Sequence, residues 1–358
     1  MRSSARRIGL LGLCLASSVL GGWLALRGVD PARLAGQASN AQPSWLAAAV
    51  AVFCLAIAVR AVRWWVLFPA PRPSLTGTTL ATLVGYFFNS ILPARAGEGA
   101  RLVALRRTSD VPSGRIAGTI VSERILDTAV LAALFAVASP LTTRQIFSPA
   151  IELGVAAAVG AITAALIGLA YVSQTHPAWL DAATRRLPAS LAPHVAGVLD
   201  GLTAWRRQGA AATAAAVGLT ALSWVLLGVS NYLLLQGFDL RVPFAAGLIV
   251  ALATGLAMII PSAPASLGVF EATTVLCLRG YPVSHLQAAS YAVALHAVNV
   301  IPLLFVGALA TMSVARSPRP RAAAEEAGSS PEPVVSVQRV RAANPSTDLA
   351  QELHSAGR

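Results

Sequence analysis

The sequence contains no lysine and has few charged residues of any kind. Charged side chains make up 12% of its 358 residues, whereas hydrophobic side chains make up 56%. About a quarter of the residues of a soluble globular domain are charged, so this composition excludes an ordinary soluble domain. A charge-poor chain with long apolar runs is typical of a protein that crosses a membrane several times.

Recognisable catalytic and nucleotide-binding motifs are also missing. The sequence has no GxSxG, no Walker A sequence and no HExxH, which are signatures of nucleophile, nucleotide and zinc sites. Its three cysteines, Cys14, Cys54 and Cys277, follow no CxxC or metal-ligand spacing. We therefore expect a protein that is not an enzyme, that holds no metal or other cofactor, and that does not hydrolyse ATP itself.

The basic residues are all arginines, 27 in number, and the formal net charge is +12. In a soluble protein this excess would suggest nucleic acid, but no basic-aromatic domain is present to bind it. The arginines stand mostly between apolar runs, as in cytoplasmic loops beside anionic lipid headgroups. We therefore expect membrane lipids, and no nucleic acid, as partners.

The apolar runs predict an all-α fold, a polytopic helical membrane protein with about seven to nine transmembrane segments, since a crossing needs about 20 residues. Two shorter stretches, Leu80–Leu92 and Phe270–Leu278, predict half-helices or re-entrant segments. The first long run follows a basic start, which also fits a signal peptide, but its length favours an uncleaved span. The long runs are Ile8–Leu26, Trp45–Leu67, Thr119–Ala138, Ile151–Tyr171, Ala211–Leu235, Phe244–Ile260 and Ala288–Met312.

The distribution of arginine between the runs predicts orientation and domain limits. Arg2, Arg6 and Arg7 place the N-terminus in the cytoplasm. Seven crossings would put the C-terminus outside, whereas Arg316 and the arginines after it favour the inside, so the side of the C-terminus stays open. The composition predicts an integral membrane domain over residues 1–313 and a disordered cytoplasmic tail over 314–358, rich in Pro, Ser, Ala and Glu.

Two similar interruptions adjoin the short stretches. ILPARAGEG (91–99) and IIPSAPASLGVFE (259–271) each contain an apolar helix end, a proline, small residues, a glycine and a glutamate. Their corresponding positions in two halves indicate a degenerate internal repeat, with Ile151–Tyr171 as the connector. Paired breaks of this kind point to the substrate site of a transporter, because half-helix N-termini attract anionic groups. The alternative is that both are loops at the membrane surface.

Charged and polar residues inside the predicted spans are further candidates. Glu123 and Asp127 of SERILD share one helix face beside Arg124, and ionisable groups at membrane depth usually mark a pathway. The alternative is that SERILD lies at the interface. His296 and Asn299 in the last run are additional candidates, although a lone histidine is more often a packing residue. Trp64 and Trp65, beside Arg60 and Arg63, are typical of an interfacial aromatic belt.

These motifs carry a family resemblance. RxxRW (residues 60–64), GYFFNSILPARAGEGAR, SERILD, PSAPASLGVFEA and HxxNxxP resemble the lysylphosphatidylglycerol synthase transmembrane-region family, and the chain is similar to the flippase portion of the multiple peptide resistance factor over roughly residues 8–312. The resemblance implies a bacterial inner-membrane protein that handles a lipid. It implies headgroup-binding roles for Asn89, Pro93, Arg95, Gly97, Glu98, Arg101, Glu123, Arg124, Asp127, Pro261, Gly268 and Glu271.

The full synthase has a soluble aminoacyltransferase domain after its membrane part, whereas this chain continues as a short tail, so we do not expect it to make lysyl lipid. Our first hypothesis is a flippase for an anionic, aminoacylated or isoprenoid-linked lipid headgroup. The alternative is a non-transporting accessory subunit that presents a lipid to a separate lipid-modifying enzyme. A third and weaker hypothesis is a membrane enzyme that uses Glu123 and Asp127 as acid and base, because paired carboxylates alone are poor evidence for one.

Overall fold

A computed structural model describes residues 2–92, 96–138, 208–258 and 262–317, together with isolated positions between 154 and 199. Over these residues the secondary structure is helical throughout, as the composition predicts. The predicted connector 151–171 and the predicted tail fall largely outside the described residues. The helices are α1 (Arg2–Leu26), α2 (Pro31–Ser39), α3 (Pro43–Val66), α4 (Leu75–Ile91), α5 (Gly97–Thr108), α6 (Ser113–Ala138), α7 (Ala210–Gly237), α8 (Phe244–Ala257), α9 (Val269–Leu278) and α10 (His285–Arg316).

Local sequence explains several of the helix starts. Ser74 and Ser284 stand immediately before α4 and α10, and their hydroxyl oxygens accept hydrogen bonds from the backbone N–H groups of Gly77 (3.0 Å) and Gln287 (3.3 Å). Asp30 caps α2 in the same way. Such side chains satisfy N–H groups that have no partner within the helix.

Helix length divides the described helices into two kinds. By length and composition, α3, α7 and α10 are able to cross a membrane. In contrast, α8 has 14 residues, about 21 Å at 1.5 Å per residue, which is shorter than the roughly 30 Å hydrocarbon core. The predicted ordinary crossing Phe244–Ile260 is therefore shorter than expected, because the helix ends before the proline-containing break.

The described helices repeat one order of lengths in two halves. The first half runs 24, 17, 12 and 26 residues over α3 to α6. The second runs 28, 14, 10 and 32 residues over α7 to α10. Each half is thus long, short, short, long, with a sequence break between its two short helices. This is the order that the internal repeat in the sequence predicts.

Packing between the halves follows the same correspondence. The two first helices, α3 and α7, pack along their lengths, α4 packs on α5 and α10, and α8 packs on α9 and α6. The backbone N–H of Gln42, before α3, donates to the carbonyl of Gly237, at the end of α7 (2.9 Å). Arg63, near the end of α3, donates to Thr220, in the first half of α7 (3.4 Å). The equivalent helices α3 and α7 are therefore antiparallel, which is the relation expected of inverted repeats.

Two hydrophobic clusters fill the space between these helices. The larger one lies where α7, α8 and α10 meet and contains Leu234, Leu252 and Leu295. The other surrounds Trp64 and Leu105, where α3 and α5 approach α6. Together they fix the position of both breaks relative to α3 and α7.

Glycine permits a close helix crossing between α7 and α8. A Cβ atom on Gly247 would lie 2.7 Å from the carbonyl oxygen of Gly228 and 2.7 Å from the backbone nitrogen of Tyr232. These are backbone atoms that cannot rotate away. A Cβ atom on Gly218, farther back on α7, would meet nothing within 4 Å.

We expect Gly247→Ala to lower the unfolding temperature in detergent, because overpacking of this kind costs about 1–3 kcal/mol. Gly218→Ala is the matched control. It should leave the unfolding temperature unchanged or raise it slightly, since alanine favours the helix by roughly 0.5–1 kcal/mol. Thermal unfolding followed by size-exclusion chromatography measures both. Equal unfolding temperatures for the two variants would contradict the close crossing.

Candidate functional site

A buried ion cluster joins α3 to α6. Arg63 is inaccessible to solvent, and its guanidinium donates to Glu123 Oε1 (2.7 Å) and to both carboxylate oxygens of Asp127. Glu123 and Asp127 lie one helical turn apart, so one planar guanidinium reaches both. The prediction that these carboxylates share one face and lie within the protein therefore agrees with the structure, and Arg63 is the partner that the sequence analysis did not name.

Arg101 brings α5 into the same cluster. Its Nη2 atom donates to Glu123 Oε2 (2.7 Å), and its guanidinium carbon lies 3.5 Å from the centroid of the Trp64 ring. Trp64 in turn donates its indole N–H to Thr119 on α6 (3.1 Å). Arg63 and Arg101 thus occupy both oxygens of Glu123, and the interaction with the ring adds cation–π attraction.

Arg124 completes the cluster on the side of the first break. It contacts Glu98 at 3.1 Å, Glu123 at 3.4 Å and Asp127 at 3.5 Å, and its side chain is 39% exposed. Three arginines therefore face three carboxylates, and the cluster is neutral as a whole. A neutral, hydrogen-bonded arrangement is the form in which charges are tolerated at membrane depth.

Arg60, one turn before Arg63 on α3, does not belong to this neutral cluster. Its Nη1 atom donates to the Tyr86 hydroxyl (3.3 Å), and its guanidinium carbon lies 4.7 Å from the Trp224 ring centroid. Its Nε and Nη2 atoms are buried and have no hydrogen-bond partner among the residues that the structure describes. Arg60 is therefore a cation whose hydrogen bonding is incomplete among the described residues.

Arg60 faces a cavity of about 210 Å³ between the two halves. Every helix from α3 to α10 contributes to its wall, as does the short 3₁₀ turn Pro264–Ser266 of the second break. Aromatic and aliphatic side chains form most of the lining, which is usual for ligand sites. The charged and amide side chains in the wall, together with its histidine, are Arg60, Asn89, Glu98, Arg124, Asn231, His296 and Asn299.

Each break is held by one side chain. At the first, Asn89 Oδ1 accepts a hydrogen bond from the backbone N–H of Gly97 (2.9 Å). At the second, Glu271 Oε2 accepts one from the N–H of Gly268 (2.7 Å), and Glu271 Oε1 pairs with His296 Nδ1 on α10. These helix N-termini are therefore engaged by protein groups. The sequence-based expectation that they would point free N–H groups at a ligand is not met at these two glycines.

The first helix lies against the second break. Gly268 has a positive φ of 83°, and a Cβ atom on it would lie 2.0 Å from the carbonyl oxygen of Ser18. The Ser18 hydroxyl also accepts a hydrogen bond from the backbone N–H of Ala263 (2.8 Å). Glycine at position 268 is thus required both by its backbone conformation and by the close approach of α1.

The predicted site residues divide by position. Asn89, Glu98, Arg124, His296 and Asn299 line the cavity. Pro93, Arg95 and Pro261 lie outside the described residues. The structure places the others behind the cavity wall, in the ion cluster or at the breaks: Gly97, Arg101, Glu123, Asp127, Gly268 and Glu271.

Sequence reasoning missed Arg60, Tyr86 and Trp224 in the cavity wall. It assigned Trp64 and Trp65, beside Arg60 and Arg63, to an interfacial belt, but Trp64 and Arg63 are buried and Arg60 faces the cavity. A signal was present, because both arginines lie within the long apolar run Trp45–Leu67, and charges inside such runs are rare.

Comparison with known families agrees with this architecture. The profile of the lysylphosphatidylglycerol synthase TM region matches residues 9–307. The chain belongs to that family. No curated protein gives a significant match to the chain. The family and the apolar helices together make this a multi-pass membrane protein associated with membrane lipids.

We expect Arg63→Gln in this family member to lower stability strongly. It would remove the fully buried arginine that binds both Glu123 and Asp127 and leave Asp127, among the described residues, with only the longer ion pair with Arg124, and breaking a buried pair costs about 3–5 kcal/mol. Arg33→Gln is the matched control, because Arg33 pairs with Asp30 at 3.9 Å with side chains 78% and 56% exposed, and exposed pairs contribute at most about 1 kcal/mol. Unfolding temperatures in detergent distinguish them. A wild-type value for Arg63→Gln would show that the cluster does not hold α3 to α6.

Proposed function

We propose that this protein translocates a lipid whose headgroup carries a phosphate, using the cavity between its two halves. The observation that carries the proposal is Arg60, a cation in the cavity wall whose Nε and Nη2 atoms have no hydrogen-bond partner among the described residues. A buried donor without an acceptor is costly, so a cation with two such donors favours an anionic ligand that accepts hydrogen bonds. Phosphate oxygens match the fork of a guanidinium.

The arrangement of the helices supports transport rather than simple binding. Inverted halves with interrupted helices, and a site where the halves meet, are the usual architecture of membrane transporters. Here α3 and α7 are antiparallel, and both breaks contribute to the cavity wall through Glu98, Ala265 and Ser266. We propose that the short helices at the breaks are re-entrant and that small movements at the breaks expose the cavity alternately.

The remaining polar groups suggest how the headgroup is held. The phosphate accepts hydrogen bonds from Arg60, while Glu98 Oε2 and Asn299 Oδ1, which accept no hydrogen bond among the described residues, accept from hydroxyl or ammonium groups beyond the phosphate. Phosphatidylglycerol, its lysyl form and isoprenoid-linked sugar phosphates all carry a phosphate and such groups. The acyl or isoprenoid chains stay on the apolar side of the wall.

The cellular setting follows from the family and the arginines. We propose a bacterial inner-membrane location with the N-terminus in the cytoplasm, because arginine-rich segments are retained on the cytoplasmic side. A fusion of a fluorescent or alkaline phosphatase reporter to the N-terminus tests this orientation. An active alkaline phosphatase fusion, or a fluorescent fusion without fluorescence, would indicate that the N-terminus lies outside and would contradict the proposed orientation.

We expect Arg60→Gln to slow translocation of fluorescent phosphatidylglycerol in liposomes by roughly tenfold or more, since a hydrogen bond to a charged group contributes about 1.5–3 kcal/mol. Quenching from outside measures the fraction of lipid that reaches the outer leaflet. Arg72→Gln is the matched control, because Arg72 also lies over an indole ring, that of Trp65, at 4.5 Å, but does not line the cavity.

Wild-type rates for Arg60→Gln, in protein that elutes as a folded species, would overturn the assignment of the headgroup site. Absence of translocation of any phosphate-bearing lipid by the wild-type protein would overturn the proposed function. Fluorescent lysyl-phosphatidylglycerol and an isoprenoid-linked sugar phosphate, tested in parallel, identify the lipid class that moves fastest.

A further inference from the structure

A second, apolar groove adjoins the cavity between α3, α4 and α10. Its volume is about 200 Å³. Cys54 and Ala58 line it from α3, Thr82 and Leu83 from α4, and Val306 from α10. The Thr82 hydroxyl donates within its own helix, to the carbonyl of Thr78 (2.9 Å), so the groove presents an almost wholly apolar surface.

The groove and the cavity form a continuous surface. Ile57 and Leu303 line both of them. On α4 the lining passes from Thr82 in the groove to Asn89 in the cavity, seven positions later, which is about 10 Å along a helix axis. On α10 the order along the chain is reversed: Asn299 lines the cavity, and Val306, later in the helix, lines the groove.

The outer edge of the groove meets the lipid-facing surface. Cys54 and Ala58 are exposed residues on α3, and Ile301 and Phe305, on the part of α10 that borders the groove, are 63% and 69% exposed. In a bilayer these side chains face hydrocarbon. A chain attached to a headgroup in the cavity can therefore leave through the groove without crossing a polar surface.

We propose that this groove binds one hydrocarbon chain of the same lipid whose phosphate is held at Arg60. The inference rests on the proposed function and adds a second subsite to it. The occupant is a flexible chain rather than a protein helix, because the groove has a volume of only about 200 Å³ and shares two lining residues with a site for an anion. Arg60, Ile57 and Cys54 follow one another at intervals of three residues on α3, so the phosphate and the chain contact one helix over adjacent turns.

The reactivity of Cys54 tests this proposal on the unaltered chain. The protein in detergent is treated with N-ethylmaleimide, and mass spectrometry of the Cys54 peptide gives the alkylation rate. Dioleoyl phosphatidylglycerol should slow alkylation by about fivefold or more and in a saturable way. Dioleoylglycerol, which has the same chains without the phosphate, and glycerol phosphate, which has no chains, should not. Arg60→Gln should lose the protection, and Arg72→Gln should keep it.

A bulky side chain in the groove provides a second measurement. Ala58→Trp should slow translocation of phosphatidylglycerol by about tenfold while binding of glycerol phosphate to the cavity is retained. Leu55→Trp is the matched control, because Leu55 is a neighbouring residue on α3 that is 52% exposed but does not line the groove. Retained glycerol phosphate binding shows that the Ala58 variant is folded.

The outcomes separate this inference from the proposed function. Translocation that depends on Arg60, with no protection of Cys54 and a wild-type rate for Ala58→Trp, would overturn the chain subsite and leave the proposed function standing. Equal protection of Cys54 by dioleoylglycerol would also overturn it, because the groove would then take any chain regardless of Arg60. Absence of translocation that depends on Arg60 would overturn both.

Discussion

The buried interaction of Arg63 with Glu123 and Asp127 is the constraint on which the first half of the molecule depends. Charged groups in a hydrocarbon environment must be neutralised locally, and Arg101 and Arg124 bring α5 and Glu98 into the same neutral cluster. Glu123 and Asp127 are therefore paired with three other arginines, and Arg60, one turn away on α3, keeps two donors without a hydrogen-bond partner among the described residues. The pairing of these two carboxylates thus leaves Arg60, in the cavity wall, outside the neutral cluster.

The two breaks use different side chains to bind the backbone N–H of a glycine. Each needs its glycine N–H satisfied where the helix restarts, and an amide does this at Gly97 whereas a carboxylate does it at Gly268. The carboxylate at the second break requires a further partner, which is His296. The two breaks thus share a glycine N–H bound by a side chain, but the side chains that bind it differ, and their sequences resemble each other only faintly.

Much of the architecture could be predicted from the sequence, because apolar length and Pro/Gly breaks act locally. The runs that became α3, α7 and α10, and the positions of both interruptions, follow from such signals. The length of α8 could not be predicted, since the apolar run continues past the helix end at Ala257. Arg60 and Arg63 are three residues apart in similar sequence, and only the packing of α6 and α7 against α3 gives one to the ion cluster and the other to the cavity. The position of Arg101 over the Trp64 ring likewise depends on tertiary packing, because the two residues lie on different helices.

The helices that precede the repeat pack unequally on its two halves. Both α1 and α2 lie against the second half, on α9 and α10, and α1 fits against Gly268 with almost no space between the backbones. These contacts brace the second half from outside the repeat, so the two halves differ in their surroundings although they share one order of helices. In the proposed transport cycle, the second half would therefore be the more constrained of the two.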